Sequence, residues 1–194
     1  MRSGGRGRAA VGVLAVAVVA VIAVAVYLMS GLGMPGTSPA DPAAPVEPGA
    51  RPDGVPAGTA AEIDRVVDGD TVIVLLDGRR ERLRLLNIDT PESVAEDQPV
   101  ECLGPEASDF TAELLPEGSR VTLVFDTERT DQYDRLLAAV YTADGRNASV
   151  EIARAGLAYP VTFAPNDRFR PDVDAAVAEA READRGVWEP GACP

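Results

Sequence analysis

Two Asp-Gly pairs, Asp68-Gly69 and Asp77-Gly78, constrain the fold more than any other feature of this 194-residue sequence. Each pair lies between runs rich in valine, isoleucine and leucine. Asp-Gly between such runs is typical of a tight β-hairpin, because both residues tolerate the left-handed backbone conformation that the turn requires. The pattern therefore predicts two successive hairpins, and so a three-stranded meander that ends at Ile88.

Helix signals follow the meander. Pro105 stands at a first helical position, and Pro116 ends that helix. Ser149 is expected to cap a short second helix that Gly156 ends, and Pro171 opens a third. Two more strands are predicted between the first and second helices, at residues 120–125 and 136–141. The element order is then β-β-β-α-β-β-α-α, an α+β (mainly β) chain in which five strands form a small closed barrel with three helices.

The N-terminal part of the chain differs in composition from the rest. Residues 9–29 are uniformly small or apolar and would make a helix of roughly 31 Å, enough to cross a hydrocarbon core of about 30 Å. Arginines before this run predict a cytoplasmic N-terminus, so residues 1–29 are expected to be a transmembrane anchor or, alternatively, a cleaved signal segment. Residues 30–58 are a Pro-, Gly- and Ala-rich linker, and residues 59–194 form the folded domain, outside the cytoplasm in either case.

The basic and sulfur-containing residues exclude several classes of enzyme. The chain has no histidine, and all 18 basic residues are arginine, which excludes a Ser-His-Asp triad and histidine-ligated zinc. Cys102 and Cys193 are too few for a four-cysteine zinc site, and in an exported domain a disulfide between them is the simplest expectation. Carboxylates and guanidinium groups remain, and oxygen ligands favour a hard cation such as calcium or magnesium.

Charged residues gather where the meander strands end. Asp70 at the start of the second strand and Asp89 at the end of the third are expected at the same end of the sheet. Two carboxylates that close repel each other unless a cation lies between them, so the pair predicts a calcium site. Arg84 and Arg135 offer bidentate donors suited to phosphate oxygens, and Glu92 is a nearby carboxylate that can handle a water molecule. The combination predicts a metal-dependent phosphodiesterase, although the net charge of −13 argues against a protein that coats nucleic acid.

Several motifs together resemble the thermonuclease family, the staphylococcal nuclease-like domains. The similarity extends from these motifs to residues 186–188 and so covers nearly all of the chain after the linker. The runs that carry it, in order, are Val-Val-Asp-Gly-Asp-Thr-Val (66–72), Arg-Leu-Leu-Asn-Ile-Asp-Thr-Pro-Glu (84–92), Gly-Pro-Glu-Ala (104–107), Arg-Thr-Asp-Gln-Tyr-Asp-Arg (129–135) and Arg-Ala-Gly-Leu-Ala (154–158).

The resemblance implies an OB-fold barrel and calcium-dependent hydrolysis of DNA or RNA, with low sequence specificity and 3′-phosphate products. It assigns Ca2+ to Asp70, Asp89 and the backbone carbonyl of Thr90, with Asp68 as a metal neighbour. It makes Glu92 the residue that activates or orients water, Arg84 and Arg135 the phosphate-binding catalytic arginines, and Tyr133 a nucleotide contact. The residues to which the resemblance assigns a role are therefore Asp68, Asp70, Arg84, Asp89, Thr90, Glu92, Tyr133 and Arg135.

The sequence departs from the family pattern at several positions, and it also allows functions other than a nuclease. Asp134 stands where the family often has glycine and would add negative charge beside Arg135, while Gln132 replaces a lysine next to Tyr133. Residues 159–165 align poorly, although Phe163 is a candidate to stack a base. The alternatives are a non-catalytic OB-fold binding module stabilised by calcium and a membrane-tethered partner domain. The protein is expected to be a monomer.

Overall fold

The computed structural model describes residues 55–93 and 99–193, which form a closed five-stranded barrel and three α-helices. Hydrogen-bonded neighbours around the barrel are β1-β2-β3-β6-β5. The predicted anchor and most of the predicted linker lie outside the described residues, and no helix within the described part is long and apolar enough to span a membrane. The strands are β1 (Thr59–Asp68), β2 (Thr71–Leu76), β3 (Arg79–Leu85), β4 (Ile88–Asp89), β5 (Arg120–Thr130), β6 (Leu136–Tyr141) and β7 (Tyr159–Pro160).

Both predicted hairpins are present in the barrel. In the β2–β3 hairpin, Asp77 (φ 51°) and Gly78 (φ 76°) are both left-handed, as a two-residue primed turn requires. In the β1–β2 hairpin, Asp68 pairs with Thr71, so the turn consists of Gly69 and Asp70. Asp70 therefore lies in the turn itself and not at the start of the second strand.

The third strand of the meander ends earlier than predicted. β3 stops at Leu85, and Asn87 then adopts a left-handed conformation (φ 66°) that turns the chain out of the barrel. Ile88 and Asp89 form the separate strand β4, which pairs with β7 through Ile88–Pro160 and Asp89–Tyr159. The prediction of one strand ending at Ile88 was wrong, because this turn moves the last two residues to a second sheet.

A parallel pairing between β3 and β6 closes the barrel. Leu83 lies beside Leu136 and Arg84 beside Leu137, whereas β6 and β5 are antiparallel. β5 continues to Thr130 and is longer than the predicted strand 120–125, since it resumes pairing after an irregular stretch that follows Phe125. The extended end of β5 carries the chain to the loop before Arg135.

The helices lie at the predicted places, and their bounds are α1 (Gly104–Leu114), α2 (Ala148–Arg154) and α3 (Arg170–Glu182). The first two pack against barrel strands, whereas α3 packs against α2 and β7. Pro105 occupies the first turn of α1, as expected. The cap of α2 is Asn147, whose side-chain oxygen accepts a hydrogen bond from the Ser149 backbone N–H at 3.1 Å. The expectation that Ser149 caps this helix was wrong: Ser149 is inside α2, and Asn147 is the residue with extended backbone before it.

The core is mainly aliphatic and lies inside the barrel and under the helices. Alternate residues of β3 show how it forms: Leu83 and Leu85 are fully buried, while Arg80 and Arg82 are exposed on the outer side of the barrel. This alternation places Arg84 on the outer side too, although other residues bury it. Fully buried core side chains include Ile63, Val72, Val74, Leu83, Leu85, Ile88, Leu123, Val140, Ile152 and Val173.

Candidate active site

A cleft of about 370 Å³ lies on the outside of the barrel, next to the β1–β2 turn and the short strand β4. Of the residues given metal or catalytic roles from the sequence, all six line it, so the structure brings them together. Tyr133 is not part of the lining. The lining residues are Val67, Asp68, Asp70, Thr71, Arg82, Arg84, Asp89, Thr90, Glu92, Arg135, Val161 and Phe163.

Asp70 is the buried carboxylate of the cleft. Its Oδ2 accepts hydrogen bonds from the backbone N–H of Thr90 at 2.9 Å and from the Thr90 hydroxyl at 3.2 Å. Its Oδ1 accepts one from the Thr71 hydroxyl at 3.0 Å. Burial raises the pKa of Asp70 above its ordinary value, although Arg84 and the Thr90 N–H act in the opposite direction. The fold thus holds a carboxylate where water cannot solvate it. The hydrogen-bond donors of Thr71 and Thr90 compensate part of its charge.

Gly69 allows the turn that carries Asp70 to approach its neighbours closely. A Cβ atom at this position would lie 2.7 Å from the Thr90 hydroxyl oxygen and 2.9 Å from the Ala107 Cβ. The carbonyl of Gly69 accepts a 2.6 Å hydrogen bond from the hydroxyl of Thr111 on α1. The glycine therefore has a second role besides turn formation, because it lets the turn, strand β4 and helix α1 meet.

Arg84 connects the two predicted metal-binding aspartates. Its guanidinium forms an ion pair with Asp70 through Nη1 and donates from Nη2 to Asp89 Oδ1 at 2.6 Å. The Arg84 side chain is 7% exposed, whereas that of Asp89 is 62% exposed, so the pair spans the cleft from its floor to its rim. The guanidinium carbon also lies 5.4 Å from the centre of the Phe163 ring. Arg84 is consequently fixed on several sides before any ligand enters.

The backbone on either side of Glu92 is held by Glu101. The Glu92 N–H donates to Glu101 Oε2 at 3.0 Å, and the Glu101 N–H donates to the Glu92 carbonyl at 2.9 Å. Gly104 lies against the same carbonyl, and a Cβ there would be 2.3 Å from it. Next to Glu92, the hydroxyl of Ser93 donates to Asp68 at 2.8 Å. The start of α1 thus fixes the segment that presents Glu92 to the cleft.

Arg135 reaches the cleft from the loop between β5 and β6, and Asp131 positions it. Asp131 Oδ2 accepts from Arg135 Nε at 2.6 Å, while Asp131 Oδ1 accepts from the backbone N–H groups of Arg135 and Tyr133, each at 2.9 Å. Burial of Asp131 acts to raise its pKa, but these hydrogen bonds outweigh it and the pKa is lowered. Among the described residues, the Arg135 side chain donates a hydrogen bond through Nε to Asp131 and none through its Nη groups.

Asp134 lies in the loop before Arg135 at a left-handed backbone position. Its backbone is left-handed (φ 59°), a conformation in which glycine, asparagine and aspartate are favoured, and this explains an aspartate where glycine is common. The carboxylate that pairs with Arg135 is that of Asp131. Tyr133 is 69% exposed, and its ring centre lies 5.5 Å from the Arg135 guanidinium carbon. Tyr133 is thus beside the cleft and not in its wall.

Sequence reasoning did not assign Arg82, Asp131 or Val161 to the site and left Phe163 open. Arg82 was detectable in principle, because it stands two positions before Arg84 and must share its side of β3. Asp131 was detectable as a turn residue four positions before Arg135. Phe163 and Val161 reach the cleft only because β7 pairs with β4, a contact that no local sequence pattern indicates.

The chemistry of the cleft fits a hard divalent cation. Four carboxylates line it, from Asp68, Asp70, Asp89 and Glu92. The side-chain atoms that could bind a metal there are therefore oxygen atoms, which hard cations prefer. Within residues 55–93 and 99–193, no three Asp, Glu or Cys side chains form a cluster that would hold a metal alone. The predicted calcium ligands are only two side chains and one backbone carbonyl. The absence of a three-residue cluster in the described part of the chain is therefore compatible with that prediction.

A disulfide joins Cys102 to Cys193 in the structure, with 5.7 Å between their Cα atoms. Cys102 directly follows Glu101, the residue that holds the backbone of Glu92. The bond therefore ties the end of the described chain to the segment behind the cleft, and it closes a loop with a sequence separation of 91 residues.

A closed five-stranded barrel with three helices, and with carboxylates and guanidinium groups in one cleft, defines an OB-fold protein of the staphylococcal nuclease type. A model of the family described as staphylococcal nuclease homologue matches residues 82–190, more than half of the chain. The chain therefore belongs to this family, which is a family of nucleases and hence of hydrolases.

Individual relatives agree with the family assignment. The chain is 41% identical over 127 residues to the thermonuclease of Staphylococcus intermedius, across 66% of this chain and 74% of that protein. It is 35% identical over 127 residues to the thermonuclease of Staphylococcus hyicus, with the same shares. It is 34% identical over 128 residues to endonuclease YncB of Bacillus subtilis (strain 168), across 65% of this chain and 60% of that protein.

Proposed function

We propose that this protein is a calcium-dependent nuclease that hydrolyses phosphodiester bonds of DNA, RNA or both with low sequence specificity and leaves 3′-phosphate ends. The observation that carries the proposal is the convergence of Asp70, Arg84, Asp89, Glu92 and Arg135 on one cleft. These residues come from four separate segments of the chain, and a barrel that only bound ligands would not require them together.

Asp70, Asp89 and the backbone carbonyl of Thr90 are the groups that would hold calcium. When bound, the ion would supply positive charge against the phosphate and against the additional negative charge of the transition state. The buried Asp70 is already oriented for this task, since three hydrogen bonds fix its two oxygens. Asp89 is mostly exposed and marks the side from which a ligand enters.

The two arginines would bind the phosphate that is attacked. A guanidinium has five N–H donors, and the ion pairs of Arg84 and Arg135 leave several of them for phosphate oxygens. The two guanidinium groups come from neighbouring parts of the fold. Arg84 is on β3, which pairs with β6, and Arg135 directly precedes the first residue of β6. Their charge contributes most when negative charge increases on the equatorial oxygens in the transition state.

Glu92 would accept a proton from the attacking water. The water oxygen then forms a bond to phosphorus in line with the P–O5′ bond, which breaks, so that the phosphate stays on the 3′ side. The 5′ oxygen leaves with a proton obtained from solvent. The hydrogen bonds between Glu92 and Glu101 fix the backbone from which the Glu92 carboxylate extends.

The location of the protein is part of the same proposal. Residues 1–29 would anchor it with the N-terminus inside the cell, or would be removed after export, and in both cases the domain acts outside the cytoplasm. The disulfide supports this, because such bonds persist mainly in oxidising compartments. The protein is also proposed to act as a monomer.

The test is cleavage of single-stranded DNA by the protein in calcium, in magnesium and in chelator. Glu92→Gln should lower turnover about 10²–10⁴-fold while calcium still raises the melting temperature, because the variant removes a proton acceptor and no proposed metal ligand. Glu113→Gln removes the same charge from the exposed face of α1 and should leave turnover unchanged. If calcium raises the melting temperature without cleavage in any condition, the protein is a calcium-stabilised binding module and the nuclease proposal is withdrawn.

A further inference from the structure

Arg82 is a third arginine at the cleft, beside Arg84 and Arg135. It lies on β3 opposite Ile73 of β2, two positions before Arg84, and it lines the cleft wall. Side chains two positions apart in a strand share one side of the sheet, so both guanidinium groups extend from the outer side of the barrel. Unlike Arg84, Arg82 is exposed to solvent.

Arg82 differs from the other two cleft arginines in its partners. Arg84 is paired with Asp70 and Asp89, and Arg135 is paired with Asp131. Among residues 55–93 and 99–193, no carboxylate forms an ion pair with Arg82. In a chain with a net charge of −13, this guanidinium can therefore bind an anion without first giving up a carboxylate.

The position of Arg82 fits a second phosphate of the same strand. The strand repeat places residues i and i+2 about 6.6–6.8 Å apart, and successive phosphates of an extended single strand can match such a separation. We propose that Arg82 binds the phosphate adjacent to the one held by Arg84 and Arg135, so that a single strand crosses the outer side of β2 and β3. This inference rests on the proposed function, because it extends the same substrate site by one nucleotide.

A binding measurement tests Arg82 without relying on turnover. In the full chain carrying Glu92→Gln, we would measure fluorescence anisotropy of a labelled oligothymidylate in calcium over a salt series. Adding Arg82→Gln should weaken binding about five- to tenfold at low salt and reduce the slope of log K against log salt by about 0.7, the value for one phosphate contact on a single strand. Arg82→Lys keeps the charge and should keep most of the slope.

Arg79→Gln is the matched control for that experiment. Arg79 is an exposed arginine at the start of the same strand, outside the cleft lining, and its replacement changes the net charge by the same amount. Its slope should equal that of the parent protein. The proposal is overturned if Arg82→Gln and the parent have equal slopes, or if Arg79→Gln loses as much affinity and slope as Arg82→Gln. It is also overturned if the parent does not bind the oligonucleotide.

Kinetics with substrates that carry one neutral phosphate then show which phosphate Arg82 contacts. In the protein with Glu92 intact, Arg82→Gln should raise KM with kcat little changed, because it removes a contact away from the reacting bond. When the adjacent phosphate is replaced by a neutral methylphosphonate, the KM values of the variant and the parent should become equal. A KM difference that persists with a methylphosphonate on either side refutes a direct contact. Failure of the parent to cleave any substrate would refute the proposed function alone, since the anisotropy series still decides the role of Arg82.

Discussion

Replacement of Arg84 by glutamine should destabilise the fold in the absence of calcium, because it removes the cation that faces a buried carboxylate. Asp70 and Arg84 have side chains that are only 6% and 7% exposed. Without Arg84, Asp70 must remain charged in a poorly solvated place or take up a proton. Both outcomes cost free energy of folding at neutral pH.

The size of the destabilisation depends on which interactions Asp70 keeps in the Arg84→Gln variant and which it loses. Removal of one partner of a buried ion pair typically costs about 3–5 kcal/mol. Asp70 retains the hydrogen bonds from Thr90 and Thr71, which compensate part of the charge. Asp89, the second partner of Arg84, is 62% exposed, so its pair contributes little. We therefore expect a loss near the lower limit, about 3 kcal/mol, which corresponds to a decrease of roughly 10 °C in melting temperature for a domain of this size.

The assay is urea unfolding in chelator of four proteins: the parent, Arg84→Gln, Asp70→Asn and the double variant. Because the first substitution leaves an unpaired charge that the second removes, the double variant should be more stable than the sum of the single effects predicts, by about 2–3 kcal/mol. Arg80→Gln is the control. Arg80 lies on the same side of β3 in an ion pair with Asp64, but its side chain is 70% exposed, and its loss should be small.

Two results would refute this reasoning. If Arg84→Gln is no less stable than Arg80→Gln, the buried ion pair does not contribute to stability. If the effects of Arg84→Gln and Asp70→Asn simply add, the two side chains are not coupled as the structure shows. Addition of calcium should restore part of the stability of Arg84→Gln, since a cation bound by Asp70 would replace the missing charge.

The remaining predictions concern Asp131 and the disulfide. The pKa of Asp131 is lowered in the folded protein, so the ionised group stabilises the fold; this contribution is complete above the ordinary value of 3.8 and is lost as the pH falls through the folded value. Asp131→Asn should therefore be less stable than the parent at pH 7, with the difference disappearing in acid unfolding series; a constant difference at all pH values would contradict this. The unreduced protein should be about 2 Da lighter than the reduced protein, and Cys102→Ser with Cys193→Ser should lower stability by about 2–4 kcal/mol. Two free thiols in the isolated protein would show that the bond does not form.

Local sequence signals were sufficient to predict the presence and order of the five barrel strands, though not the ends of β3 and β5, and to predict much of the site. Two short turns and alternating side chains determine the β1–β2–β3 meander, although the first turn is Gly69-Asp70 and not the predicted Asp68-Gly69. The same alternation places Arg84 and Arg82 on the outer side. These features depend on neighbours within a few residues, which a sequence displays directly.

Features created by distant contacts could not be predicted in the same way. The strand that was expected to end at Ile88 is divided, because Asn87 turns the chain and β7, about seventy residues later, pairs with Ile88 and Asp89. The same pairing places Phe163 in the cleft. At α2, the sequence analysis expected Ser149 as the cap, but the extended backbone before the helix belongs to Asn147, another residue type that caps helices well.

The parallel pairing of β3 with β6 determines at which stage of folding the two arginines of the proposed phosphate site can come together. Arg84 lies beside Leu137 in that pairing, and Arg135 directly precedes β6. The two hairpins can form from neighbouring residues, but this pairing joins segments far apart in the chain, and such contacts are the slow ones to close. Refolding should therefore show strand formation by circular dichroism before oligonucleotide binding returns, and the delay between the two signals would measure closure of the barrel.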